Sequence, residues 1–216
     1  MEQRREEKCG IRLLYTCSPI ELEGKTQVGC FRFQMGRLLG KYAQKGLAGL
    51  LDYIVPVPNS GLYYAMGAAE SLKVPYLQSL VKRDGHKRTL QETDLQMRER
   101  LITENITLLP GLLEGKRIAL VDEAIFTGTT LKMICRMLKG QGVASIHILI
   151  PTSICATPCP QGEMPQRDLL VHHIPSTEFG HYFGAASVTF LPYDKMRRFT
   201  DSFQPVCLEC FRQEEP

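Results

Sequence analysis

Residues 118–130 read Ile-Ala-Leu-Val-Asp-Glu-Ala-Ile-Phe-Thr-Gly-Thr-Thr, and this stretch narrows what the chain can fold into. A short apolar run bounded by turn residues reads as a buried strand. Here it delivers two adjacent acids, Asp122 and Glu123, to its carboxyl end. Thr127-Gly128-Thr129-Thr130 then reads as a turn opening a helix, whose first N–H groups lack intrahelical acceptors and whose dipole is positive at that end. Gly128 lets the backbone come close to an anion, and the hydroxyls of Thr127, Thr129 and Thr130 add donors, so the turn suits a phosphate monoester. Ionised carboxylates only accept hydrogen bonds, so Asp122 and Glu123 suit paired sugar hydroxyls or a metal ion. A purely structural reading exists, because any α/β domain can end a strand in an acid and cap the next helix with Thr. The full combination favours a ligand site.

Around this motif, apolar runs at strand length alternate with helical spacing. Ile11–Tyr15, Tyr53–Val57, Val74–Val81, Arg117–Ala124 and Ala144–Pro151 read as strands. Cys30–Gln44, Gly61–Leu72 and Thr129–Leu138 read as helices. Alternation of this kind predicts an α/β fold with a mostly parallel sheet flanked by helices. Lys82–Glu104 is strongly charged with little core pattern and reads as a long mobile loop, the kind that usually carries function. The chain divides into a core, 1–151, and a cysteine-containing extension, 152–216, that wraps and completes the sheet.

The net charge of +3 over 216 residues argues against nucleic acid as a partner, so anion binding must come from local arrangement. No apolar run approaches the roughly 20 residues of a membrane span. The start Met-Glu-Gln-Arg-Arg-Glu-Glu-Lys lacks the apolar core of a signal peptide, and a cytoplasmic location is expected. The eight cysteines are not spaced as a secreted disulfide scaffold, so metal or cluster ligation competes with core packing.

The order strand, acid pair, Thr-Gly-Thr-Thr turn and helix resembles the phosphoribosylpyrophosphate (PRPP) signature of the type I phosphoribosyltransferases. The resemblance implies that fold. It also implies that Asp122 and Glu123 hold the ribose 2′ and 3′ hydroxyls, while Ala124, Thr127, Gly128, Thr129 and Thr130 bind PRPP around its 5′-phosphate. Asn59-Ser60-Gly61, after the strand at 53–57, matches the pyrophosphate loop. Lys82 and Arg88 in the charged stretch match cations that would stabilise departing pyrophosphate, with Mg2+ beside them; Arg83, His86 and Lys87 are left undecided. Further segments, 81–90, 97–99 and 113–117, are similar to the synthase domain of iron–sulfur-containing glutamine PRPP amidotransferases. There the resemblance places a 4Fe–4S cluster on Cys9, on Cys159 in Thr-Pro-Cys, and on Cys207 and Cys210 in Cys-x-x-Cys. Cys-x-x-Cys alone would equally admit zinc.

Cys9 stands immediately before the synthase-like first segment, so the chain is expected to be a synthase domain without a glutaminase. The chain departs from that branch at Glu123, Ala124, Phe126 and Thr127, in the loop at Gly85 and Lys87, and at Asn59. PRPP binding is expected to survive these changes. The acceptor is left open between ammonia, free or supplied by a separate glutaminase, and another small nitrogen nucleophile. A PRPP-sensing module without catalysis is the alternative, and a homo-oligomer is expected by analogy.

Overall fold

The computed structural model describes residues 8–83, 95–162 and 168–212. In chain order the first half contains β1 (Leu22–Glu23), β2 (Thr26–Gln27), α1 (Val28–Leu47), β3 (Tyr53–Pro56), α2 (Leu62–Leu72), β4 (Leu80–Lys82), α3 (Leu95–Asn105) and β5 (Ile106–Leu108). The second half contains β6 (Arg117–Val121), α4 (Thr129–Gly140), β7 (Ser145–Ile150), α5 (Phe179–Phe183), β8 (Ser187–Phe190) and α6 (Tyr193–Phe203). A four-stranded sheet in the order β3-β6-β7-β8 lies at the centre, and every pairing in it is parallel. The expected α/β architecture with a flanked parallel sheet is what forms.

Each strand divides its side chains between two cores, as the two-residue period of a strand requires. Ile54, Ala119, Val121 and Leu149 pack on the side of α1 and α2. Val55, Ile118, Leu120, Ile146 and Ile148 pack on the side of α4 and α5. Ile118, Leu120 and Ile148 have no solvent exposure, and burial of each such side chain stabilises the fold by about 1.5–3 kcal/mol. On the first side, α1 and α2 meet at backbone distance. A Cβ on Gly36 would collide with the Tyr64 backbone, and one on Gly67 with the Phe33 carbonyl. This contact fixes where α2 begins, directly after Asn59-Ser60-Gly61.

Three local expectations are corrected. Ile11–Tyr15 is not a strand: Arg12–Thr16 forms one wide helical turn, closed by the Cys17 N–H donating to the Arg12 carbonyl at 2.9 Å. Two of its carbonyls, and that of Cys17, are satisfied from distant helices rather than from a neighbouring strand. Arg32 Nε donates to Leu13 O and Arg32 Nη2 to Cys17 O, while the Tyr64 hydroxyl donates to Leu14 O. Val74–Val81 is divided. Its first part lies along the edge of β3 through Ile54 N to Pro75 O and Leu77 N to Ile54 O, and its end, β4, pairs antiparallel with β5. The stretch expected as a loop from Lys82 to Glu104 contains α3 from Leu95 onward, whose own Ile102 is buried. The part at 84–94 lies outside the described residues.

Beyond residue 151 the chain returns to the sheet as β8, parallel to β7. It then lays α6 against the α1 side, where Met196 is fully buried and Phe199 packs at a tilt against Phe31 with centroids 5.4 Å apart.

Candidate active site

The carboxyl ends of β3 and β6 open into a cleft of about 400 Å3. Asp122 and Glu123 stand at the end of β6, nearly removed from solvent at 5% and 6% exposure. Asp122 Oδ1 accepts from the Ser60 hydroxyl at 3.1 Å and from the Glu123 N–H at 3.0 Å. Burial first, then the charge of Glu123 and the hydrogen bond between the two side chains, push the Asp122 carboxyl well above the usual carboxylate range. Glu123 is anchored through its backbone, whose carbonyl accepts from the Thr152 hydroxyl at 3.0 Å. Its Oε2 is buried with no hydrogen-bond partner among the described residues. A buried carboxylate oxygen in that condition is costly unless a donor arrives, and the cleft is where a donor can arrive.

The turn after the acids has the predicted form. Gly128 occupies the N-cap of α4 with φ of 74°, a left-handed conformation that disfavours any side chain. A Cβ there would also meet Leu170 at 2.8 Å and the Phe183 ring at 3.2 Å. Thr127 and Thr129 share a hydroxyl contact of 3.1 Å. Ala124, Thr127, Gly128, Thr129 and Thr130 all line the cleft beside the acid pair, and the first N–H groups of α4 add donors beside them.

Of the other predicted residues, Asn59, Ser60 and Lys82 also line the cleft. The Pro58–Asn59 peptide is cis. Gly61 lies behind this loop, where a Cβ would strike the carbonyls of Val121 and Val57, so its part is to let the loop pack onto the strand ends. Arg88 lies outside the described residues.

Sequence reasoning missed a further wall of the cleft, lined by Tyr15, Cys17 and Arg32, with Phe126 of the turn after β6 against Tyr15. Tyr15 and Phe126 face each other with ring centroids 6.3 Å apart. The Cys17 thiol donates to Glu23 at 3.4 Å, and burial followed by that carboxylate pushes the thiol up to about 11. Glu23 is itself buried: burial alone would raise its carboxyl, but hydrogen bonds from Lys8 and Arg12 outweigh this and hold it below the usual value. No local signal in residues 12–32 announces this wall, because the wide turn, the β1–β2 hairpin and α1 build it jointly.

The cysteines at the other end form a second grouping. Cys9 and Cys159 place their sulfurs 3.5 Å apart. Cys155, Cys159 and Cys9 lie around Cys210, and the Cys155 thiol donates to the Thr157 carbonyl at 3.6 Å. Cys207 is partly exposed and pairs by backbone with Cys9, its N–H donating to Lys8 O and its carbonyl accepting from Gly10. The residues are of the right kind for a four-thiolate group, and Cys9, Cys159 and Cys210 are brought together. Cys155 joins them, which the sequence did not indicate. Among the described residues no group of three or more His, Cys, Asp or Glu is arranged to hold a single metal ion.

A profile of the phosphoribosyl transferase domain family matches residues 31–163, from α1 through both cleft loops. The chain belongs to this family. It is 29% identical to the amidophosphoribosyltransferase of Synechococcus elongatus over 211 residues, 96% of this chain and 42% of the relative. Against the amidophosphoribosyltransferase of Bacillus subtilis it is 27% identical over 215 residues, 96% of this chain and 44% of the relative. The chain thus spans less than half the length of these relatives. The structure of glutamine PRPP amidotransferase from B. subtilis, complexed with ADP and GMP, matches with a TM-score of 0.80 at 25% identity, covering 100% of this chain and 48% of that one. Cys207 and Cys210 fall outside the segment matched by the family profile. No described helix is long and apolar enough to cross a membrane.

Proposed function

We propose that this phosphoribosyl transferase domain transfers the 5-phosphoribosyl group of PRPP to ammonia or another small nitrogen nucleophile, with release of pyrophosphate. The observation that carries the reading is Glu123 Oε2, buried without a hydrogen-bond partner among the described residues, in an acid that lines the same cleft as the Thr127–Thr130 turn. A ribose 5-phosphate spans these two features: its ring hydroxyls would donate to Glu123 and Asp122, and its phosphate would accept from the Thr hydroxyls and the first N–H groups of α4. In the reaction the bond from C1 to pyrophosphate oxygen breaks, the leaving group keeps the electron pair, and the nucleophile's nitrogen bonds to C1 and then loses a proton. The ribose gains oxocarbenium character on the way, and carboxylates held close to its hydroxyls stabilise that charge.

Asn59 and Ser60 would bind the pyrophosphate from the β3 side. Lys82, at the exposed end of β4, would offset charge as it leaves, with Arg88 proposed for the same role. Mg2+ fits beside the acid pair, where Asp122 and Glu123 are the carboxylates that would receive it, and it would lower the cost of charge building on pyrophosphate. A 4Fe–4S cluster is proposed on Cys9, Cys159, Cys207 and Cys210, where it would join the amino-terminal segment to the tail as a structural group. The longer relatives are named as amidotransferases, so ammonia from a glutaminase is one source of the nucleophile for this domain.

The test is pyrophosphate release from PRPP and Mg2+ with ammonia and a panel of small amines, under anaerobic conditions. Release that depends on a nitrogen nucleophile supports transfer. PRPP binding with no release from any of them would contradict it and favour a sensing module instead.

A further inference from the structure

Three stretches distant in sequence bring five thiols to one place: Cys9, the loop with Cys155 and Cys159, and the tail with Cys207 and Cys210. A four-thiolate group uses four of them, so one is in excess. The backbone explains how they meet. Ala156 N and Thr157 N both donate to Cys210 O, at 2.8 and 3.3 Å, which clamps the loop on the tail. Gly10 N to Cys207 O and Cys207 N to Lys8 O clamp the amino-terminal segment on the same tail.

Within this arrangement the thiols sort into pairs. Cys9 and Cys159 have sulfurs 3.5 Å apart, both buried. Since a disulfide bond is about 2.05 Å long, closure asks the sulfurs to approach by about 1.5 Å. Cys155 and Cys210 are both buried, and the backbone clamp from Ala156 N, directly after Cys155, to Cys210 O holds the two residues side by side. Cys207 is more exposed than these four and is held through its backbone.

We propose that, when no metal group occupies the sulfurs, these thiols close as two disulfides, Cys9–Cys159 and Cys155–Cys210, and that Cys207 stays reduced. Each closure is an exchange with a small-molecule disulfide of the glutathione class. One cysteine sulfur attacks it and displaces one thiol; the second cysteine resolves the mixed disulfide and displaces the other. Two cysteine thiols are oxidised, one small disulfide is reduced to two thiols, and hydrogen balances. Cys9, Cys159 and Cys210 cannot be in disulfides and bind a metal group at once, so oxidation and ligation exclude each other. The bridges hold the same three segments that the metal group would hold, and a reductant reopens the site. The inference does not depend on the phosphoribosyl transfer reading.

Trypsin separates the three stretches: Cys9 lies in the peptide 9–12, Cys155 and Cys159 in 140–167, and Cys207 and Cys210 in 199–212. The full chain, freed of metal and folded, is treated with oxidised glutathione, alkylated, digested without reduction and weighed. The expected product joins all three peptides, with an alkyl label on Cys207. Cys155→Ser is expected to leave 140–167 joined to 9–12 alone, and Cys159→Ser to leave it joined to 199–212 alone. A bond between Cys207 and Cys210, the same cross-links in both variants, glutathione adducts without bridges, or full alkylation of all five thiols would each overturn the proposal.

Discussion

The cleft and the thiol grouping are built in opposite ways. The acids and the Thr turn come from one uninterrupted stretch, 118–130, which β6 and α4 hold at the carboxyl end of a sheet with buried strands. The thiols come from three stretches joined by a few backbone hydrogen bonds and by the packing of the tail. A contiguous site has its geometry fixed by local backbone rules, so its residues can be named before the fold is known. An assembled site depends on how distant segments dock, so its membership can differ by a residue from what spacing suggests.

The largest expected effect is at Glu123. Glu123→Gln keeps the shape but removes the acceptor charge. It is expected to lower kcat/KM for PRPP by about 100-fold or more, roughly 3 kcal/mol of transition-state stabilisation, while leaving iron content unchanged. A loss of iron with that variant would mean that the two regions are not independent. The converse variant is Cys9→Ser, expected to lose bound iron and sulfide and to loosen the tail. Protease cutting after residue 151 reads that loosening, and hydrogen exchange in β6 is expected to stay slow. Cys155→Ser should retain the iron.

Gly128→Ala sharpens the cleft side. The residue combines φ of 74° with a Cβ position 2.8 Å from Leu170, so a loss of about 1–3 kcal/mol in urea unfolding is expected. Weaker PRPP binding should accompany it, because the first turn of α4 must shift. The smallest effect belongs to Asp122→Asn. The folded-state pKa of Asp122 is raised, so its contribution is fully present below the unfolded value near 3.8 and is lost as pH rises through the folded value. Replacement by Asn removes that loss. The Tm of the variant should match that of the wild type in acid and exceed it increasingly toward alkaline pH.

Much of the cleft was legible because residues 118–130 obey two local rules: apolar residues at strand length, and glycine where a left-handed cap is needed. The wall containing Tyr15 and Cys17 was not. A five-residue apolar run fits a strand or a buried turn equally well, and only Arg32 and Tyr64, supplied from α1 and α2, decide for the turn. Helix α3 escaped notice because its stretch is charged, although Ile102 is deeply buried. Cys155 and Cys159 lie four residues apart in one loop. The Thr-Pro-Cys resemblance to the family selected Cys159, and only the docking of Ala156 and Thr157 on Cys210 brings in Cys155.

The central claim is that the acid pair and the Thr turn together grip a phosphorylated ribose. Isothermal calorimetry with PRPP and Mg2+ tests it directly, comparing the wild-type chain with the Asp122→Ala, Glu123→Ala double variant after circular dichroism has confirmed that both are folded. Saturable heat for the wild type and its disappearance in the variant is the predicted result. Equal heats in the two proteins, or no heat in the wild type, would contradict the account.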